Sequence, residues 1–327
     1  LNLIIKFKKV SISSYITEYI NLISPKFIFH NSFDVRFFEI DKKNFNFDFK
    51  KIFTQSGLKN EYEFYDFIQN KKNLSCDFNF VWSEAMKELM SKYISGNYEV
   101  VGPLINNDGP KVNSINAKNE ILLVSQYRPF KKIRPNDTID TIRETFHGLK
   151  FSWRQFHQAN IDIALMLKNF CEKNKISFGI IGARVEDSEK EKLFFTETLG
   201  ENGWKFFKNE VLKKGIHLSK ESKYIVTIDS TLGYECLSRG QRVCFFSIRS
   251  KYIGQNYAWF GWPKKLEQEG PCWTSNNRKA DFERLMNSLI KEDDSFWENI
   301  RNNILKDIIA YDEGNKKFNT FLKENIF

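Results

Sequence analysis

In the alternation of apolar and polar positions, the second half of the chain has the clearer rhythm. Short apolar runs at residues 120–125, 176–182, 224–228 and 241–247 each end in a polar or glycine-containing turn, and longer segments with helical spacing separate them. Runs of that length bounded by turn residues predict buried strands. Ile161, Ala164, Leu165, Leu167 and Cys171 fall along one side of a helix expected over residues 160–173. Ser188 and Glu191 have capping-box spacing and predict a helix that runs through Phe194, Phe195 and Leu199. Further helices are expected over residues 281–290 and 297–311. Strands alternating with helices imply parallel β-α-β units with right-handed crossovers. Residues 118–327 therefore read as a Rossmann-like α/β domain with a parallel sheet.

The first half is less legible. Residues 26–30, 78–82 and 98–102 predict strands, and residues 83–93 a helix capped by Ser83 with Glu84 in its first turn. Residues 103–118, rich in Asn, Gly and Pro, read as a linker. No clear succession of β-α-β units is visible, so residues 1–117 are expected to form a smaller or truncated α/β domain. The chain opens on Leu1 rather than Met, and we expect it to lack N-terminal residues. Its first apolar run is too short for a signal peptide or a membrane helix, and no solenoid-length repeat is present.

Composition narrows the function classes. At 327 residues the chain suits two domains, and its 32 Phe residues supply ample core. The net charge of +9 suits nucleotide phosphates, anionic glycans or an anionic membrane surface. No nucleic-acid motif or basic stripe interleaved with aromatics is present, so a nucleic-acid partner is not expected. The five Cys are odd in number and widely spaced without a CxxC pair, which predicts neither disulfides nor zinc but buried thiols in a cytoplasmic protein. His147 and His157 lie ten apart, and no HExxH or DxD pair occurs, so neither a metal nor a cofactor is expected. The absence of a P-loop, GxGxxG or GxSxG disfavours kinases, dinucleotide enzymes and serine hydrolases.

The candidate chemistry lies where predicted strands end. Asp229, Ser230 and Thr231 follow an apolar strand and open a short helix, the position where open α/β sheets bind ligands and where a helix N-terminus favours a phosphate. A simple helix cap would use such residues too. Gly233 permits close backbone approach, while Arg239 and Gly240 read as a charged last turn and its closing glycine. Ser125, Gln126 and Arg128 follow the first strand of the domain, and Arg184 follows the next. A guanidinium there can fork onto phosphate or carboxylate oxygens, or make an interdomain ion pair. Glu186 and Asp187 read mainly as negative charge at a helix start. Lys251 and Arg249 are candidate phosphate neutralisers. Residues 260–263, with Trp262, and Trp273 form an aromatic group that is either a wall of the site or core. Asp229, Glu144 and His157 are the candidate catalytic groups.

Several pieces together resemble bacterial surface-carbohydrate transferases of the GT-B type, including the group related to retaining β-Kdo transferases. They are residues 81–84, 100–103, 123–128, 228–235, 238–240, 260–263 and 269–274. The resemblance implies a two-domain GT-B architecture with the acceptor mainly on the first domain and the sugar nucleotide mainly on the second. It implies a ribose contact for Glu235, and a CMP-linked acidic sugar such as Kdo as donor. The expected function is metal-independent transfer of a sugar to a surface glycan or lipid-linked glycan, in capsule or lipopolysaccharide assembly, by a cytoplasmic protein peripherally associated with the inner membrane. The alternatives are a catalytically inactive glycan- or nucleotide-binding partner of an assembly complex and a polyol-phosphate transferase. In either case Ser125, Arg128, Arg184, Asp229, Ser230 and Thr231 are expected to share one cleft.

Overall fold

The computed structural model describes residues 12–58, 61–68, 71–108, 118–144, 148–210, 215–254, 260–264 and 266–326. The first sheet holds β1 (Phe27–His30), β2 (Lys50–Thr54), β3 (Leu74–Val81) and β4 (Ile94–Val100), paired in that order and all parallel. Its succession of parallel strands corrects the expectation that the first half lacks one. β2 is hidden in the sequence because it opens on Lys50 and Lys51. Lys51 is nonetheless buried, with its ammonium donating to the carbonyls of Phe38 and Ile40 and to Ser75 Oγ. Three neutral acceptors replace water at the buried amine, and burial lowers its pKa to about 8.

The second sheet is built from β5 (Lys118–Val124), β8 (Ser177–Ile181), β9 (Lys205–Phe207), β10 (Ser222–Thr227), β11 (Arg242–Phe246) and β12 (Trp273–Thr274), in the order β12-β11-β10-β5-β8-β9, again all parallel. Val124 and Ile180 lie on the adjacent strands β5 and β8, Phe245 lies on β11 across β10 from them, and Ile228 follows β10 directly. A short antiparallel hairpin, β6 (Arg143–Glu144) with β7 (Lys150–Phe151), precedes the long helix. The central strands are buried over most of their length, as expected for a parallel sheet covered on both faces.

The longer helices include α1 (Ile12–Ile23), α2 (Glu84–Ser91), α3 (Trp153–Asn174), α4 (Ser188–Leu199), α5 (Thr231–Ser238), α6 (Lys279–Lys291), α7 (Asp294–Asn303) and α8 (Lys316–Asn325). α2 has the expected cap, Ser83 Oγ accepting from Met86 N–H. α3 starts earlier than the sequence suggested, because Ser152 and Gln155 form a full capping box. The expected box at Ser188 does not form. Ser188 Oγ donates to the carbonyls of Arg184 and Val185, and Glu191 turns inward.

α8 returns to the first sheet. Phe318 and Phe321 meet Phe80 at 4.8 Å between ring centroids, and Phe321 meets Phe78 at 4.6 Å. Residues 316–325 therefore pack with the first unit, not with the second to which the division at 117/118 assigns them. Trp82 crosses the other way: it joins the core of the second sheet, while its indole N–H donates to the Gln55 carbonyl at 2.7 Å. The residues expected to form the linker between the two sheets fall partly outside the described residues.

Candidate functional site

In the second sheet Thr227 is level with Val124 on one side and Phe245 on the other, and Val124 is level with Ile181. Because these strands are parallel, the chain leaves all four at one edge. Ser125–Arg128, Gly182–Arg184, Ile228–Thr231 and Ser247–Lys251 are brought to that edge by topology alone, where a doubly wound sheet binds its ligand.

The turn after β10 is built by local hydrogen bonds. Ser230 N–H donates to Thr227 Oγ1 at 3.2 Å, and Ser230 Oγ accepts from Leu232 N–H at 3.3 Å as the cap of α5. Gly233 lets α5 sit hard on the sheet, since a Cβ there would lie 2.5 Å from Thr227 Cγ2 and 2.9 Å from a Phe245 ring carbon. The close approach the sequence suggested at Gly233 is thus to the chain's own strands. It presses the helix N-terminus against the sheet edge, where the helix dipole favours an anion.

Beneath the turn, Arg249 is the hub. It is 1% exposed, with Nε 3.1 Å from Asp229 Oδ2, Nη2 3.3 Å from Asp229 Oδ1, and Nη2 donating to Gln126 Oε1 at 2.7 Å. Its guanidinium lies 4.1 Å from the centroid of the Phe156 ring, and exposed Arg128 lies 5.2 Å from the same ring. The loops after β5, β10 and β11 are in this way tied through one side chain, with α3 supplying the aromatic face. Asp229 faces Arg249 with both carboxylate oxygens, Oδ1 in a hydrogen bond and Oδ2 in the ion pair, which anchors the turn.

A second inward carboxylate, not among the candidate site residues of the sequence, braces the neighbouring loops. Glu191 is fully buried and accepts from Ala183 N–H with both oxygens, at 2.9 and 3.1 Å. Burial pushes its pKa up to about 7, against hydrogen bonds from Ser125 and from the backbone of residues 183 and 184. The only sequence signal was its place in a box that reads as a local cap.

Of the other expected site residues, His157 lies beneath the loop after β5, and Glu144 and Trp262 lie on other elements. His157 is wholly buried: Nε2 accepts from Arg128 N–H at 3.0 Å, and Nδ1 lies 2.9 Å from the Trp153 carbonyl. Burial lowers its pKa to about 3, so it is a neutral brace for the loop after β5 with no lone pair left for a base. Glu144 lies on the exposed β6–β7 hairpin, 3.5 Å from Lys150. Trp262 is buried in the cluster of the first sheet, its ring 5.6 Å from that of Phe64. Phe260 and Trp273 stack at 4.5 Å within the second core. The aromatic group is therefore core.

Arg128, Arg184 and Lys251 remain exposed along the edge, and Gln126, Ser230, Thr231 and Glu235 are partly buried. Burial pushes the Glu235 carboxyl up to about 7, and the charge of Arg239 opposes that shift. Among the described residues no three His, Cys, Asp or Glu side chains gather as metal ligands, and no helix is long and apolar enough to cross a membrane. His147 lies outside the described residues.

Residues 52–326 match the model of a family described as "putative O-antigen biosynthesis protein". No curated protein matches the chain significantly. Among solved structures, it is similar to a protein of Listeria monocytogenes described as a putative UDP-N-acetylglucosamine 2-epimerase, with TM-score 0.56 and 11% identity, covering 95% of this chain and 77% of that one. It is also similar to UDP-GlcNAc 2-epimerase of Methanocaldococcus jannaschii in complex with UDP-GlcNAc and UDP, with TM-score 0.52 and 11% identity, covering 96% and 80%. A GtfA/B complex chain gives TM-score 0.50 and 13% identity, covering 97% and 61%. The fold is that of GT-B-like transferases and epimerases, with two parallel Rossmann-like sheets.

Proposed function

Because the chain belongs to this O-antigen biosynthesis family and carries a GT-B-like fold, we propose that it is a nucleotide-sugar-dependent glycosyltransferase of surface-glycan assembly. The supporting observation is the junction of the Ser230-capped helix with the Asp229–Arg249–Gln126 brace at the edge where the parallel strands end. In this reading the donor phosphates sit at the positive end of the α5 dipole beside the Ser230 and Thr231 hydroxyls, and Arg128, Arg184 and Lys251 neutralise them. Glu235 takes the ribose. Preorganised donors and cations of this kind stabilise the leaving nucleotide as the glycosidic bond breaks.

UDP is the first nucleotide to test, since the Methanocaldococcus jannaschii structure holds it. CMP, the carrier of the acidic sugar class that includes Kdo, is the second. The acceptor in this reading is a glycan or lipid-linked glycan, met at the cytoplasmic face of the inner membrane. A second reading, a nucleotide-binding partner that does not catalyse, is favoured by one observation: Asp229, Glu144 and His157 are each engaged by another group of the chain.

Replacing Ser230 or Thr231 by Ala is expected to weaken nucleotide binding about ten- to hundredfold, because one hydrogen bond to a charged phosphate contributes roughly 1.5–3 kcal/mol. Stability should fall by only about 1 kcal/mol, the contribution of one cap. Calorimetric titration with UDP and CMP beside thermal melts tests this. Unchanged affinity with a large drop in melting temperature would reduce the turn to a helix cap. Sugar transfer from the nucleotide that binds, measured with an extracted glycan acceptor, separates the enzyme from the inactive partner.

A further inference from the structure

The brace beneath the sheet edge has a direction. An ionised Asp229 can only accept hydrogen bonds and Arg249 can only donate them, so any side chain that extends the relay beyond Arg249 must offer it an oxygen. Gln126 does so. Its Oε1 accepts from Arg249 Nη2 at 2.7 Å, and the same nitrogen lies 3.3 Å from Asp229 Oδ1. A flipped amide would set its NH2 group against the guanidinium, so the chemistry of the partner fixes the orientation. Arg249 is not free to turn towards another acceptor, since it is 1% exposed, paired with Asp229 Oδ2 at 3.1 Å and stacked 4.1 Å from the Phe156 centroid. Gln126 Nε2 is therefore the outer end of the relay. It makes no hydrogen bond to the described residues, and it is not one of the buried atoms left without a partner. On a half-buried residue of the loop after β5, its N–H groups thus open to solvent.

We propose, resting on the reading of this edge as the nucleotide site, that Gln126 donates from Nε2 to a phosphate oxygen of the sugar nucleotide, and that Arg249 and Asp229 are the positioning residues that aim it. The surroundings select an oxyanion as the acceptor. Gln126 and Asp229 share one nitrogen of Arg249, so the amide lies beside the turn that carries Ser230 and Thr231 into α5. The dipole of that helix favours negative charge there. Exposed Arg128, two residues along the same loop as Gln126, lies 5.2 Å from the Phe156 ring on which Arg249 stacks. A neutral acceptor such as a base carbonyl would leave both sources of positive potential unanswered. A donor held in place from behind also needs no reordering as the leaving phosphate gains charge, which is what preorganisation supplies to a transition state.

The test compares UDP, titrated by calorimetry, with uridine, titrated by ligand-observed NMR, on the full chain. Gln126→Met removes the donor and should weaken UDP about ten- to hundredfold, the range of one hydrogen bond to a charged group. Gln126→Glu keeps an oxygen for Arg249 but replaces the donor with negative charge, so it should weaken UDP further while its melting temperature stays near that of the wild type. Uridine affinity should be unchanged in both. In an Arg249→Lys background the amine cannot hold Asp229 and Gln126 in one fork, and Gln126→Met should there cost far less than in the wild type. Should Arg249→Lys fail to fold, Asp229→Asn, which loosens the guanidinium, takes its place in the cycle. Unchanged UDP affinity in Gln126→Met and Gln126→Glu overturns the proposal, and so does an equal loss for UDP and uridine, which would place the contact on the nucleoside. Additive losses in the cycle overturn the aiming role of Arg249. If CMP binds in place of UDP, the same comparison is made with CMP and cytidine. If neither nucleotide binds the wild type, the reading of the edge as a nucleotide site has failed and takes the role of Gln126 with it.

Discussion

Arg249→Met is expected to destabilise the protein by about 3–5 kcal/mol, because it leaves the Asp229 carboxylate buried without its cation. The pair is dry, with side-chain exposures of 1% for Arg249 and 10% for Asp229. The lost guanidinium also gives up its bond to Gln126 and its stacking on Phe156. Most of the cost lies in the unpaired charge, not in the contacts. The double variant Arg249→Met with Asp229→Asn should therefore recover a large part of the stability, since the remaining amide is neutral. Nucleotide binding should stay lost in the double variant, because the loops after β5, β10 and β11 no longer share an anchor. Urea unfolding of the two single variants and the double variant measures the coupling, and titration with UDP measures the site. A single-variant loss below about 1 kcal/mol would mean that the pair behaves like an exposed one and that the edge is open to water.

This brace shows why the fold was more legible than the site. The strands around Val124, Ile180 and Phe245 announce themselves as apolar runs because both faces of a parallel sheet are covered. Their shared direction then places every turn that comes after them at one edge. Nothing in spacing, however, can show that Arg249 reaches Asp229 and Gln126, which are 20 and 123 residues away in sequence. Local rules misled where tertiary structure recruited the same residues. Ser188 and Glu191 have the offset of a capping box, yet Glu191 turns to the amide of Ala183 to join two loops of the edge. β2 escaped notice for the converse reason, because Lys51 reads as polar and yet finds three internal acceptors. Trp262, from a segment far along the chain, fills the core of the first sheet, the packing alternative that the sequence left open beside a wall of the site.

His157 should make the folded state sensitive to mild acid. Its two partners fix one neutral tautomer: a backbone N–H can only donate to Nε2 and a carbonyl can only accept from Nδ1. Protonation would set an N–H against the Arg128 amide, beside the charges of Arg249 and Arg128, which together with burial hold the pKa near 3. The unfolded chain takes up the proton near pH 6.5, so between these values it binds more protons than the folded chain. Stability from this residue is therefore complete above pH 6.5 and is lost as pH falls, by about 1.4 kcal/mol per unit. By pH 5 the loss should reach about 2 kcal/mol. Glu191 and Glu235 run the other way, since burial raises both to about 7 and their contribution grows as pH falls from there towards the ordinary carboxyl range. The wild-type curve alone thus mixes opposite slopes, and the difference from His157→Gln isolates the histidine. Glutamine offers a donor and an acceptor but does not titrate. The wild type should be the more stable protein at pH 8, and its advantage should shrink by about 2 kcal/mol between pH 6.5 and pH 5 in urea unfolding. A difference that stays constant across that window would show that the ring already accepts a proton in the folded chain, and would return His157 to the candidate bases.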